Sequence, residues 1–200
     1  MEKHFSQACE NNKQPIFEQL QAHFSDRTQV LEIGSGTGQH SVYFAALLPH
    51  LIWHTSDQPD YHSSVLAYGN EAMLPNWRAP LHFTVGRDPW PVVDTSIDAV
   101  FSANTAHIMQ RDEAKLMMHH IAKNLPKGGV FCQYGPFKFD GKFTSASNRD
   151  FDTSLRERGL GGYRDVDELT RWAQTAAGNL SLQQVFAMPA NNHLLCWKKL

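Results

Sequence analysis

Apolar and polar positions change period several times along the 200-residue chain. In "PIFEQLQAHF", Ile16, Phe17, Leu20 and Phe24 fall at helical spacing, and Pro15 suits a first helical turn, so a helix is expected from Pro15. "QVLEI" reads as a short β-branched strand, and "GQHSVYFAALLP" as a helix ended by Pro49. "LIWHTSD" and "YHSSVLAYGNEA" repeat the strand and helix, the helix stopping near Pro75. "LHFTVGRD" predicts a third strand closing on Asp88, and Ile97 to Ser102 a fourth. A helix over "DEAKLMMHHIAKNL" follows, with Ala114, Leu116, Met117, Ile121 and Leu125 as its apolar stripe, and "PKGGVFCQYGPF" turns into a fifth strand. Such alternation predicts an α/β fold with a mainly parallel sheet and helices on both faces.

After Tyr134 the pattern becomes polar and glycine-rich. Short helices are expected in "NRDFDTSLRER" and "DVDELTRWAQTAA", and "SLQQVFAM" and "HLLCWKK" joined by "PANN" predict a hairpin. With 42% hydrophobic residues the chain suffices for one core, so a single domain over residues 1–200 is expected.

The candidate chemistry starts where the first strand ends. Glu32 is followed by Gly34, Gly36 and Gly38, a loop with no side chains at alternate positions. Ligands of parallel sheets bind at the carboxyl ends of the strands, and Glu32, Asp57 and Asp88 lie at or beside three predicted ends. The dinucleotide fingerprint GxGxxG would need glycine at Gln39, so a nicotinamide-dependent oxidoreductase is disfavoured. No lysine completes a phosphate loop, and "GSG" does not complete a nucleophile elbow.

This E-x-G-x-G-x-G pattern resembles motif I of the class I S-adenosylmethionine-dependent methyltransferases. "WPVVDTSIDAVFSANTAHI" is similar to that family's stretch around the fourth strand. "ACENNKQPI", "LEIGSGTGQH", "SANTAHI", "YGPFKFDGKFTSASNRDFDTSL", "GYRDVDEL" and "MPANNHLL" more closely resemble the methyltransferase-like protein 26 family, also called domain of unknown function 938. That family more often carries Arg at the position of Asn11. The resemblance implies a Rossmann-like, seven-stranded sheet of order 3-2-1-4-5-7-6 with strand 7 antiparallel. It implies S-adenosylmethionine as cofactor and S-adenosylhomocysteine as product. Asp57 would take the ribose hydroxyls and Asp88 would lie near the adenine, with Glu32, Gly34, Ser35, Gly36, Gly38, Gln58 and Asn104 completing the cofactor site.

For the acceptor, expected contacts are Asn12, Tyr134, Phe137, Asn191 and Asn192, with residues 1–25 as an N-terminal cover and 135–165 as a lid. His107 is the first candidate for a general base, if one is used, and Tyr134 the second. A histidine in the position of His107 is more often packed and hydrogen-bonded than a proton acceptor, while Tyr134 could equally be a core aromatic and the two asparagines simple turn formers.

Eighteen Lys and Arg against 20 Asp and Glu give a formal charge of -2, with no general attraction to nucleic acid or an anionic membrane. Cys9, Cys132 and Cys196 lack CxxC spacing, no HExxH occurs, and no metal is expected. With neither a signal-like apolar core nor a membrane-length apolar run, a soluble, cytoplasmic protein is expected. The leading functional expectation is methyl transfer to a small polar metabolite. A cofactor-binding regulatory protein without turnover, or a protein or RNA methyltransferase, are the alternatives.

Overall fold

The computed structural model describes residues 3–91, 96–175 and 178–200. The chain divides into two compact units, Met1–Ser102 and Ala103–Leu200.

The first unit opens with α1 (Gln7–His23). This helix starts eight residues before the expected Pro15, because Ser6 accepts the Cys9 N–H and serves as its N-cap. Pro15 is therefore interior, where it cannot donate to the carbonyl four residues earlier, a loss of about 3 kcal/mol in an isolated helix. Complete burial of Ile16 and Leu20, with Phe24 beyond the C-terminus, offsets that loss.

Four strands follow: β1 (Gln29–Ile33), β2 (Ile52–Asp57), β3 (Trp77–His82) and β4 (Ala99–Ala103), the last ending one residue past the unit. They are interleaved with α2 (Gln39–Leu47) and α3 (Pro59–Ala72). β1 pairs in parallel with β2 and β4, and β2 with β3, giving the order β3-β2-β1-β4. All five residues of β1 are buried, as expected of a parallel strand covered on both faces. Phe44, Trp53 and Phe101 form the aromatic centre, with ring centroids 5.3 to 5.9 Å apart.

The third strand corrects the expectation. It is formed by "WRAPLH" and stops at His82, leaving Asp88 six residues beyond it. Pro80 is tolerated because β3 is the sheet edge, where a missing N–H costs no ladder bond. "FTVGRD" instead folds back: Asp88 accepts from the Thr84 N–H at 2.6 Å while Thr84 O accepts from the Arg87 and Asp88 N–H groups. Within "WPVVDTS", residues 92–95 lie outside the described residues.

In the second unit, α4 (Arg111–Asn124) begins with a reciprocal capping box between Gln110 and Glu113. Its buried stripe is Ala114, Met117, Met118, Ile121 and Ala122; Leu116, expected there, is 40% exposed because position 118 rather than 116 faces inward at helical spacing. Then come β5 (Val130–Gly135), β6 (Phe137–Phe139), β7 (Lys142–Phe143), α5 (Ala146–Glu157), β8 (Arg164–Asp165), α6 (Val166–Trp172), β9 (Gln174–Thr175), β10 (Gly178–Met188) and β11 (Asn192–Lys199). The expected helix over 165–177 ends at Trp172; Ala176 and Ala177 lie outside the described residues.

The order here is β5-β11-β10-β9, with β11 antiparallel to both β5 and β10. Taking β10 and β11 as the sixth and seventh strands, the two units carry the orders 3-2-1-4 and 5-7-6, with β9 as an added edge. The predicted hairpin is β10 and β11, so its turn lies level with the carboxyl end of β5, as Gly135 pairs with His193. The polar stretch after Phe137 is regular rather than open loop: β7, β6 and β8 form a small sheet, and Ser145 caps α5.

Candidate functional site

In the first unit the polypeptide leaves β1 through three left-handed glycines, Gly34 (φ 77°), Gly36 (φ 56°) and Gly38 (φ 93°), a course that side-chain-bearing residues resist. Gly34 N–H and Ser35 N–H both donate to Ser56 O, at 2.9 and 3.1 Å. A Cβ on Gly38 would lie 2.9 Å from Val65 Cα, so this glycine lets the loop meet α3. A Cβ on Gly36 would meet nothing within 4 Å, leaving open space above the middle of the loop.

Asp57 ends β2 beside that space. Its Oδ2 accepts the Gly36 N–H at 2.7 Å and its Oδ1 accepts the Gln58 N–H at 2.7 Å. Two carboxylate oxygens offer about four lone-pair positions, so two remain for a ligand. Burial raises the Asp57 pKa, and the two amide bonds oppose the rise. Gln58, the N-cap of α3, is exposed beside it.

Glu32 is more deeply buried than Asp57. At 1% exposure it lies beneath the loop, where one oxygen accepts from Ser35 Oγ at 3.0 Å and from Trp53 Nε1 at 3.1 Å. Ser35 Oγ in turn accepts the Ser56 N–H. Burial lifts Glu32 to about pKa 7 despite these two donors. Asp88 is held below the ordinary carboxylate range, chiefly by the Thr84 amide. It sits 3.4 Å from His82 Nε2 in the turn beyond β3.

The N-terminal helix is fastened to the same loop. Gln39 donates to Glu10 Oε1 at 2.7 Å and accepts from the Ser6 N–H at 2.6 Å, so the residue standing where a dinucleotide motif has glycine is a tether. Asn12, expected to meet the acceptor, is buried with its side-chain oxygen 2.6 Å from His40 Nε2.

In the second unit, Asn104 adopts φ 57° and donates its N–H to Tyr134 O at 2.9 Å. A Cβ on Gly135 would lie 3.7 Å from Asn104 Oδ1 and 3.8 Å from His107 Nδ1, so these three residues converge. His107 is buried, with its pKa lowered to about 4 by desolvation and then by the Arg164 charge. Its ring faces those of Phe151 and Tyr163, both at 6.1 Å.

Tyr134 and Phe137 are buried at 3% and 1% exposure. Asn191 (φ 57°) accepts from Asn148 Nδ2 through its carbonyl, and Asn192 donates its side-chain amide to Pro189 O at 3.3 Å. Tyr163 and Phe151 escaped the sequence reading; "GGYRD" was the available signal, since Gly162 N–H donates to His107 O at 3.0 Å. Among the described residues no group of three His, Cys, Asp or Glu side chains could hold a metal, and no helix is long and apolar enough to cross a membrane.

Solved structures share this architecture. An O-methyltransferase family protein from Burkholderia thailandensis superposes with TM-score 0.78 at 16% identity, over 96% of this chain and 57% of its own. An O-methyltransferase family 2 protein from Planctomyces limnophilus DSM 3776, in complex with apigenin, gives 0.74 at 14%, over 95% and 62%. PigF with S-adenosylhomocysteine gives 0.72 at 15%, over 88% and 52%. The chain thus spans little more than half the length of these structures. The fold is that of the class I methyltransferases. Residues 3–199 match the family described as protein of unknown function (DUF938), and the chain belongs to it.

Proposed function

We propose that this chain is an S-adenosylmethionine-dependent methyltransferase acting on a small polar acceptor. The carrying observation is the opening above Gly36 beside Asp57, a carboxylate with two lone-pair positions still available. That combination fits a nucleoside with vicinal hydroxyls. When bound, the cofactor supplies an already activated sulfonium methyl, so alignment carries most of the catalysis.

Asp57 holds the ribose in this reading, Gln58 and Asp88 border the base, and the Gly34–Gly38 backbone supports the amino-acid end. Glu32 acts from below by fixing Ser35. Asn104 is assigned to the cofactor, and His107, Tyr134, Phe137, Asn191 and Asn192 attend the acceptor, with the small sheet and α5 (within 135–165) as its lid; residues 1–25 cover the glycine loop. The tethers from Gln39 to Ser6 and Glu10 support the cover assignment. Because burial holds His107 near pKa 4, it is neutral at pH 7 and accepts a proton only weakly. Transfer to an acceptor that needs no strong base agrees with this. The quoted segments further support placing the chain with methyltransferase-like protein 26 inside its family.

Calorimetry with S-adenosylmethionine and S-adenosylhomocysteine, on the wild type and Asp57→Ala, tests the reading. Micromolar binding that the variant loses is expected, followed by label transfer from methyl-labelled cofactor to a metabolite fraction. Absence of binding to either nucleoside would overturn the proposal, while binding without transfer to any fraction would reduce it to a regulatory cofactor binder.

A further inference from the structure

The register of β5 and β11 places Gly135 opposite His193, Gln133 opposite Leu195, and Phe131 opposite Trp197. Paired residues of an antiparallel ladder project to the same face, and every second residue returns to it. Gly135, Gln133, His193 and Trp197 therefore share one face, while Cys132, Tyr134 and Cys196 occupy the other. On the first face lie four buried side-chain atoms without a hydrogen-bond partner: Gln133 Oε1 and Nε2, His193 Nδ1 and Trp197 Nε1. Among the described residues these are the only such atoms.

Gln133 is 1% exposed and Trp197 fully buried. His193 and Trp197 are the two diagonal neighbours of Gln133 on the adjacent strand, about 7–8 Å away between backbone positions and within reach of long side chains. Buried polar groups normally find partners, and each one left without costs about 1–3 kcal/mol. Four unpartnered polar atoms confined to one sheet face are a patch equipped to bind something polar. Gly135 lies on the same face, with Asn104 Oδ1 and His107 Nδ1 3.7 and 3.8 Å from where its Cβ would stand.

The donor set defines the occupant. Gln133 offers both an N–H and a carbonyl, Trp197 an N–H only, and a neutral His193 Nδ1 either role. Burial depresses the His193 pKa, which keeps it neutral at pH 7. None of the three carries a charge, so an ionised carboxylate or phosphate would be buried without compensation. A carboxamide meets the glutamine amide with two antiparallel N–H···O bonds and leaves acceptor capacity for the indole N–H.

We infer that Gln133, His193 and Trp197 form a recognition site for an uncharged carboxamide-type group. That this group belongs to the methyl acceptor rests on the methyltransferase reading; the site itself rests on the β5–β11 geometry. Titration of ¹⁵N-labelled protein with acetamide and, separately, acetate tests it, following the Trp197 indole and Gln133 side-chain signals assigned with Trp197→Phe and Gln133→Met. Acetamide should shift both signals and acetate neither, and Gln133→Met should weaken the acetamide response of the indole about ten-fold or more. The inference is overturned if acetamide moves neither signal in the wild type, if acetate acts equally, or if Gln133→Met responds as the wild type does. Calorimetry with S-adenosylmethionine on the same samples separates this outcome from failure of the cofactor reading, because Gln133→Met should bind the cofactor unchanged. Should Gln133→Met not fold, the wild-type comparison of acetamide with acetate still decides.

Discussion

The Gly36 N–H donates to Asp57 Oδ2 over 2.7 Å, tying the centre of the glycine loop to the last residue of β2, 21 positions away in the chain. One contact thus shapes the loop and orients the carboxylate. Substitutions at either end should therefore alter both cofactor affinity and loop order.

Asp57→Ala removes the acceptor for two backbone amides as well as two vacant lone-pair positions. Hydrogen bonds to charged groups contribute about 1.5–3 kcal/mol, so cofactor affinity should fall about ten-fold or more. Asp57→Asn should fare little better, since its NH₂ must face one of the same amide donors. Calorimetry measures both; unchanged affinity in Asp57→Asn would show that the carboxylate does not contact the ligand.

Two glycines of the loop should separate by mechanism. Gly36→Ala keeps open space around the new methyl, so its cost should be about 1–2 kcal/mol of left-handed backbone strain. Gly38→Ala adds a contact of 2.9 Å with the Val65 backbone and should cost more. Urea denaturation should place Gly38→Ala below Gly36→Ala in stability, whereas cofactor affinity should suffer in Gly36→Ala out of proportion to its lost stability.

Glu32 produces an unusual pH dependence. Its pKa rises from 4.5 to about 7 on folding, so between those values the folded protein keeps a proton that the unfolded chain has released. Its contribution to stability accordingly falls as pH rises through that window. Glu32→Gln, whose carbonyl can still accept from Ser35 and Trp53, should remove this slope and stabilise the protein at pH 8 by on the order of 1 kcal/mol or more. Urea midpoints of both proteins at pH 5 and pH 8 provide the comparison, and parallel pH profiles would refute it.

Two histidines act in the opposite direction. His40 and His107 are lowered from 6.5 to about 4, each chiefly by burial. As pH falls from 6.5 toward 4 the unfolded chain gains protons that the folded state refuses, and stability is lost. His107→Gln should flatten the acid limb of the stability curve in urea titrations; an unaltered limb would mean that the ring is hydrated.

The three thiols should differ in reactivity. Cys132 and Cys196 are 0% and 2% exposed, with sulfurs 3.8 Å apart, and burial raises the Cys132 thiol pKa well above its ordinary value. Cys9 is half-buried, its pKa also raised by desolvation. A chromogenic disulfide reagent at pH 8 should titrate one thiol slowly in the native protein and three in urea. Rapid native reaction of all three would contradict the packing of β5 against β11.

Much of this was legible beforehand because the responsible forces act over short stretches. The alternation of strands and helices, the left-handed course of the glycine loop and the hairpin around "PANN" arise from local periodicity and backbone preference. Asp57 was legible for the same reason, as the last residue of a short apolar run. Less legible were features set by distant neighbours. Trp77–His82 becomes a strand despite Pro80 because β2 pairs along its inner edge, and α1 runs through Pro15 because its apolar face is covered.

The sequence by itself determined the alternation of the main strands and helices, the spacing of the glycines and the acid that ends β2, since each is written into a few neighbouring residues. Only the tertiary structure decided that Glu32 is buried against Ser35 and Trp53, that Gln39 tethers α1, and that Gln133, His193 and Trp197 gather unpaired on one sheet face. Whether a polar side chain meets a partner or remains orphaned depends on strands brought together from about 60 residues apart, and strand register is set by the packing of whole faces.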